Sequence, residues 1–307
     1  MSNIGDLLSK INLTGSWRPD EPLADHTTFR IGGPADAMVF PATIDDVKAV
    51  RQLARSEGFP VFTLGKGANI LVADRGIRGL VINLTSLAGW SWSNGLFRAQ
   101  AGLDVSAAAE AGRSMGFSCL EFLNAMPSTV GGAVFMNARC YGAEIADVFA
   151  EATVLDEQNQ EVLVPFKKGD WDYKLSPFQN RDWIIVEARF RTNPADAAAV
   201  EAVMRANAAD RTAKGHFLLP CAGSVFKNNH AFGAPSGVLI DKVGLKGLRR
   251  GRAAVSDWHA NIIVNEGGAS AADLRGLIVE VREKVAAATG FQLEEEVLFV
   301  GDWENRD

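Results

Sequence analysis

Residues 61–72, Val-Phe-Thr-Leu-Gly-Lys-Gly-Ala-Asn-Ile-Leu-Val, run apolar, then glycine-rich, then apolar again. The pattern predicts a short buried strand over 61–64 that breaks at a tight turn. Gly65 and Gly67 let the backbone turn sharply and approach a ligand with no Cβ in the way. Successive N–H groups in such a turn form an anion-binding nest, to which Lys66 adds positive charge. Asn69 can bond the loop to itself or to a ligand. Taken alone, the stretch reads as a plain tight turn or as a cradle for a pyrophosphate. Other glycine-bearing and polar loops further along the chain weigh toward the second reading.

Strand–helix–strand order surrounds this loop. A strand is expected over 37–40. Thr43 with Asp46 three residues later forms a capping box, Val47, Val50 and Ala54 recur at helical spacing, and Gly58 suits the stop. A further strand is expected over 80–84. Asn94-Gly95 between two extended runs is a type I′ hairpin signal. The spacing predicts a helix over 105–115, a hairpin over 152–165 and a long strand over 183–192. At Asn193-Pro-Ala-Asp196 the pattern changes: Asn193 fits an N-cap, Pro194 the first helical position and Asp196 the first turn. The helix expected to follow reaches about 213 and places Val200, Val203, Met204 and Ala208 on one face. Ser270 and Asp273 cap a second long helix whose apolar stripe is Leu274, Leu277, Ile278, Val281 and Val285, ending at Gly290.

Composition removes several classes of function. A chain of 307 residues has room for two or three domains. A net charge of −6 argues against a general nucleic-acid binder. No apolar run approaches the roughly 18 residues of a membrane span, and the N-terminus lacks the basic start and apolar block of a signal peptide. Cys119, Cys140 and Cys221 fit no zinc spacing, and His26, His216, His230 and His259 are scattered, so no metal is expected. The expected setting is a reducing cytoplasm.

Polar groups that a core would not choose gather in a few stretches. Residues 124–137 form a second glycine-bearing loop, in which Gly131 and Gly132 allow close approach and Ser128, Thr129 and Asn137 can hydrogen-bond. Ser224, within Cys221-Ala-Gly-Ser-Val-Phe-Lys-Asn228, follows a glycine and precedes apolar residues. No G-x-S-x-G elbow surrounds it, so a proton donor or hydrogen-bonding serine is a better reading than a hydrolase nucleophile; a turn serine bonding its own backbone is the other. Glu296 lies against an apolar run, which makes it a candidate acid–base group or one carboxylate of a solvated face. Tyr173, Lys174 and Ser176 offer donors close together, on a site or on a surface loop. Lys242, Lys246, Arg249, Arg250 and Arg252 read as a solvated basic loop or a local phosphate contact.

In chain order these residues resemble the UDP-N-acetylenolpyruvoylglucosamine reductases (UDP-N-acetylmuramate dehydrogenases). The matching signals run from about residue 24 to 301. They are Thr27-Thr-Phe-Arg-Ile-Gly-Gly33, Gly65-Lys-Gly-Ala-Asn69, Pro127-Ser-Thr-Val-Gly-Gly132, and Asn137 with Tyr141-Gly142. Tyr173-Lys-Leu-Ser176, Ala222-Gly-Ser-Val-Phe-Lys-Asn228 and Gly244-Leu-Lys-Gly247 follow. Val255-Ser256, His259-Ala-Asn261 and residues 293–301 complete the series. The resemblance implies an α+β protein with the FAD-binding fold of the vanillyl-alcohol oxidase (PCMH-type) group and a C-terminal α/β substrate domain. The implied segments are an N-terminal extension (1–25), FAD-binding subdomains (26–85 and 86–195), a substrate-binding domain (196–290) and a returning strand (291–307).

The same resemblance implies NADPH as electron donor, FAD as carrier and a nucleotide-sugar enolpyruvate as substrate, in peptidoglycan precursor synthesis. Gly65, Lys66, Gly67, Ala68 and Asn69 would hold the pyrophosphate of FAD, and Pro127, Ser128, Thr129, Gly131 and Gly132 would lie along the flavin. Ser224 matches the family's proton donor, Glu296 its acidic partner and Lys174 its charge-stabilising group. Tyr173, Lys214 and Asn228 match positions near substrate. Lys174 stands where the usual motif has arginine, Ala68 where serine is common, and residues 215–219 depart from the pattern. The short connection over 190–194 places the chain in the branch without an extra tyrosine-bearing loop. Two alternatives are another flavoenzyme on the same fold, such as an alcohol oxidase, and a non-catalytic nucleotide-sugar binding protein. Many of the former tether flavin through histidine, and neither glycine loop contains one.

Overall fold

The computed structural model describes residues 4–216 and 218–303, so Phe217, within the departing 215–219 segment, and the outer ends of the first and last expected segments lie outside the described residues. The chain forms two compact units. The first comprises Met1–Pro19, Asp36–Lys66 and Gly79–Asp210; the second comprises Asp20–Ala35, Gly67–Arg78 and Arg211–Asp307.

The first unit is built on an antiparallel five-stranded sheet in the order Glu161–Pro165, Phe149–Leu155, Ile184–Arg191, Leu96–Gln100, Trp90–Ser93. Asn94 and Gly95 both take positive φ, 52° and 73°, as the tight hairpin between the last two requires. Phe149 sits among Phe166, Trp171, Phe178 and Phe190, with ring centres 4.8–6.5 Å away. A second sheet, mostly of this unit, has the order Ser16–Pro22, Pro34–Phe40, Ile77–Asn83, Val61–Leu64, its last two strands parallel. The helix Ile44–Glu57 opens with the predicted capping box. Its buried Arg51 was not singled out by the sequence. That guanidinium donates to the carbonyls of Leu155 (3.2 Å), Asp156 (2.8 Å) and Asp182 (2.8 Å), joining the helix to two loops.

In the second unit the helix Ala271–Thr289 buries Leu274, Leu277, Ile278, Val281 and Val285, the predicted stripe. Its core partners include the three-stranded antiparallel sheet Arg249–Arg250, Ala253–Val255, Ile263–Asn265. Ile70–Val72 pairs in parallel with Leu298–Val300, placing the residues after the first glycine loop beside the end of the chain. No helix among the described residues is long and apolar enough to cross a membrane.

Three expectations need correction. Asn193 is not an N-cap: Asn193–Pro194 pairs with Phe117–Ser118, and the helix starts at Ala197, where the Asp196 carboxylate accepts the N–H of Ala198 at 2.7 Å. Tertiary pairing outweighed the local Asn-Pro signal. Val203 is 43% exposed, whereas Asn207 and Arg211 are buried beside Val200, so the inner face of this helix is partly polar. Residues 130–135 are not loop but a helix, Val130–Phe135, capped by Thr129.

Asp46 does more than cap. Its carboxylate accepts N–H groups from Thr14 (2.9 Å), Gly15 (3.0 Å), Ala42 (2.8 Å) and Thr43 (3.2 Å). Burial pushes its pKa up, but these four bonds outweigh it and hold the carboxyl below its ordinary value. Asp46→Ala is expected to lower unfolding free energy by about 2–3 kcal/mol in urea titration. In the parent, that contribution is full above about pH 4 and is lost as pH falls through the lowered folded-state pKa. The variant's stability should therefore fall less steeply over that acid range.

Candidate functional site

In the first unit the two glycine-bearing motifs touch. A Cβ on Gly65 would stand 2.5 Å from Thr129 Oγ1, so only glycine permits this approach. Thr129 is buried, and its hydroxyl accepts the Gly132 N–H at 3.3 Å. The 128–131 run is laced to residues 101–105 through Val105 N–H to Ser128 O (3.2 Å), Val130 N–H to Leu103 O (2.8 Å) and Gly131 N–H to Ala101 O (2.8 Å). Gly131 is spoken for by the fold, since its Cβ would lie 2.8 Å from that of Ala101. Gly132 is different. A Cβ there would meet only Ser128 and Thr129 oxygens at 3.4 Å, so packing within the chain does not require glycine. Pro127 is exposed at the start of the run.

The loop itself offers unused donors. Among the described residues, no acceptor takes the amide N–H of Lys66, Gly67 or Ala68. Three consecutive uncommitted N–H groups are what a nest for an anion needs. The Lys66 ammonium pairs with the Asp104 carboxylate, which also caps the helix Val105–Met115, so its charge is shared with a neighbour. Gly67 takes φ +59°, and a Cβ would lie 2.4 Å from the His26 carbonyl oxygen. Its glycine is thus required by the residue 26–27 turn rather than by a ligand.

Lys174 occupies a tight turn in the left-handed region, φ +59°. Asp172 and Leu175 exchange N–H···O bonds of 3.2 and 2.9 Å across it. Ser176 is buried and donates to Phe135 O (2.7 Å); Gln179 donates to Lys174 O (3.1 Å); buried Asn137 donates to Asp172 O (2.9 Å). Tyr173 lies under the Arg139 guanidinium, 5.9 Å from its ring centre. A strained backbone fixed this thoroughly is a recurrent property of functional turns.

In the second unit, three separate motifs converge. Ser224 bridges Ile262, and the next carbonyl, of Val225, accepts the Glu296 N–H at 2.7 Å. Asn69 Nδ2 donates to Glu296 O (2.9 Å), and Asn69 O accepts the Leu298 N–H (3.0 Å). Ser224 and Glu296 are both half-buried, and the Ser224 hydroxyl makes no hydrogen bond among the described residues. Asn228 is exposed; its Oδ1 accepts the Ser236 N–H at 2.9 Å, at the start of the helix Ser236–Lys242. Lys214 is exposed just past the helix Ala197–Ala213. Burial, followed by the charges of Lys214 and Lys246, holds the His259 imidazole below its ordinary pKa. The basic 242–252 stretch is largely a solvated loop, with Lys246 on Asp241 (2.9 Å) and Arg249 on Glu266 (2.9 Å).

The residue-by-residue reading passed over His259 and Asn261. The available signal was the polar His-x-Asn spacing alone. A cavity of about 730 Å³ in this unit, lined by Arg75, Arg250, Arg275 and Trp303 among others, contains none of the predicted site residues. No cluster of His, Cys, Asp or Glu suited to a metal occurs among the described residues.

Comparison with known proteins gives this geometry its context. The family model for the UDP-N-acetylenolpyruvoylglucosamine reductase C-terminal domain matches residues 213–300, and the model for an FAD binding domain matches residues 35–164. The UDP-N-acetylenolpyruvoylglucosamine reductase of Treponema denticola is 39% identical over 99% of this chain and 100% of its own length. That of Borreliella burgdorferi is 36% identical over 97% and 98%. The crystal structure of the Thermus caldophilus reductase, 29% identical, superposes with a TM-score of 0.78 over 94% of this chain and 99% of that one. A xylooligosaccharide oxidase of Myceliophthora thermophila, 18% identical, shares the fold alone, with a TM-score of 0.50 over 63% of this chain and 43% of its own. The fold is the α+β FAD-binding fold that the motifs implied.

Within the first unit, the uncommitted Lys66 amide and the open side of Gly132 suit a bound FAD. Gly65→Ala should collide with Thr129 and lose about 1–3 kcal/mol of stability along with FAD. Gly132→Ala separates the two effects. Alanine is a better helix residue by up to about 1 kcal/mol, so the FAD-free protein should be no less stable. FAD affinity, read from flavin absorbance per protein after dialysis, should nevertheless fall roughly tenfold, about 1.4 kcal/mol. Undiminished FAD affinity in Gly132→Ala would move that residue off the flavin surface.

Proposed function

Because this chain belongs to the UDP-N-acetylenolpyruvoylglucosamine reductase family, we propose that it reduces UDP-N-acetylglucosamine enolpyruvate to UDP-N-acetylmuramate with electrons from NADPH. It is an FAD-dependent oxidoreductase. The proposed step belongs to peptidoglycan precursor synthesis in the cytoplasm. The observation that carries the reading is the half-buried Ser224 hydroxyl, unbonded among the described residues, on a segment whose next carbonyl holds the backbone of Glu296.

FAD, when bound, supplies hydride transfer from NADPH to the enolpyruvyl double bond. The chain's own groups then have four tasks. The 65–69 loop binds pyrophosphate through its free amides, and the 127–132 run lies along the flavin. Hydride addition at the terminal carbon drives an electron pair toward the substrate carboxylate, and the resulting enolate charge needs fixed positive groups. Lys174 meets that charge from its rigid turn. Ser224 O–H delivers a proton to the carbon bearing the ether oxygen, completing the saturated product, and Glu296 is its acidic partner. Tyr173, Lys214 and Asn228 contact the nucleotide sugar, with residues 196–290 as the substrate domain.

The test follows flavin absorbance anaerobically. NADPH should bleach the bound flavin, and the enolpyruvyl nucleotide sugar should restore the colour. A flavin that NADPH leaves oxidised but an alcohol bleaches would favour an alcohol oxidase. Ser224→Ala should leave bleaching nearly normal and slow recovery by roughly 10²–10⁴-fold, the scale for losing a positioned acid. Normal recovery would reduce Ser224 to a turn residue. Lys174→Met should likewise slow recovery and spare bleaching, while Lys174→Arg keeps part of the rate because charge is retained. Parent-like recovery in Lys174→Met would show that the enolate charge is met elsewhere.

A further inference from the structure

Asn261 is 3% exposed, and its side chain bonds to a single residue. Oδ1 accepts the Phe226 N–H at 3.0 Å, and Nδ2 donates to the Phe226 carbonyl at 2.8 Å. Its own carbonyl accepts the Val225 N–H at 2.8 Å. A residue facing Phe226 on a neighbouring antiparallel strand would exchange the same pair of bonds. Here a carboxamide supplies them, and the main chain of 259–262 is released to make a turn, closed by Ile262 N–H to His259 O (2.9 Å). The N–H that the turn frees on Asn261 goes to His259 Nδ1 at 3.2 Å. On the opposite side, Glu296 N–H meets Val225 O (2.7 Å) and Lys227 N–H meets Glu294 O (2.9 Å). The 224–227 segment is therefore held from both sides, while the Ser224 hydroxyl has no bond of its own to hold it. Its aim depends on the backbone.

We propose that Asn261 is a positioning residue for proton delivery by Ser224: its carboxamide stands in for a strand residue and fixes the backbone that aims the hydroxyl. The inference rests on the reading of Ser224 as the proton donor.

Asn261→Asp tests it in the FAD-loaded full chain. As a carboxylate, the new side chain still accepts from Phe226 N–H but cannot donate to Phe226 O. Protonated, it regains one donor and with it the pair of bonds. Burial raises the pKa of such an acid toward neutrality. At pH 8, flavin bleaching by NADPH should match the parent, and recovery with the enolpyruvyl nucleotide sugar should be roughly 10–100-fold slower, the scale of a misaimed group. As pH falls to 6, the deficit relative to the parent at the same pH should shrink. Amide hydrogen exchange over 224–228 should be faster than the parent's at pH 8 and approach it at pH 6. Parent-like recovery at every pH, or a deficit constant with pH, overturns the proposal.

Should this variant not accumulate as folded protein, His259→Ala removes the acceptor of the Asn261 N–H, together with the ring's contact with His216. It should slow recovery several-fold and leave bleaching unchanged; equal slowing of both overturns the proposal. A parent enzyme whose flavin this substrate does not reoxidise breaks the functional reading instead.

Discussion

The second unit depends on one acceptor, the carbonyl oxygen of Val225. It receives the Glu296 N–H at 2.7 Å, and that bond lays the segment carrying Ser224 beside the segment carrying Glu296, where Phe226 and Glu295 form an isolated antiparallel bridge. Glu296 passes the connection on, because its own carbonyl accepts the Asn69 side-chain amide. Residues at 69, 225 and 296 are thereby placed within one hydrogen-bonded array despite their separation in the chain. A backbone acceptor at this position has a physical advantage over a side-chain tether. It fixes the direction of the segment while leaving the Ser224 hydroxyl unbonded among the described residues.

The first unit relies on exclusion rather than on a bond. Gly65 and Thr129 approach so closely that a methyl group would fill the gap. The Thr129 hydroxyl is used at the same time to cap the helix Val130–Phe135, so the contact sets the loop against the start of that helix. The glycines in these motifs divide by cause. Gly131 and Gly67 are demanded by Ala101 and by the residue 26–27 turn, and Gly65 by Thr129, whereas Gly132 has room for a side chain that the fold would accept. A glycine motif is thus mostly a record of internal packing, and only its residual positions speak of a ligand.

Much of the local structure was legible because its causes are local. The Asn94-Gly95 hairpin, the Thr43–Asp46 capping box and the 274–285 stripe each arise from residues within a few positions of one another. What stayed hidden was set at long range. Asn193 carries a sound cap signal, but pairing with Ser118 placed it in a strand. Val203 fits the apolar stripe of its helix, yet Asn207 took the inner face by donating to the Glu121 carbonyl at 3.3 Å. Arg51 carries no local signal of burial; three carbonyls far away in the chain, of Leu155, Asp156 and Asp182, take its guanidinium. The candidate site residues were named by motif order, whereas the bonds from Asn261 to Phe226 are a pattern that the spacing His-x-Asn does not disclose.

The departure at Lys174 makes sense in the same terms. A residue with a Cβ at φ +59° costs about 1–2 kcal/mol whatever its head group. The bonds that offset this cost come from neighbours: Asp172 with Leu175 across the turn, Ser176 and Gln179 onto Phe135 O, and Asn137 onto Asp172 O. Gln179 donates to the main-chain carbonyl of residue 174 itself. None of these bonds depends on whether the side chain ends in a guanidinium or an ammonium. Exchanging one for the other gives up a planar two-pronged grip but keeps the charge and the origin from which it projects. Exchange of the head group therefore leaves the bonds of the turn in place, with Ser176 and Asn137 buried and bonded beneath it.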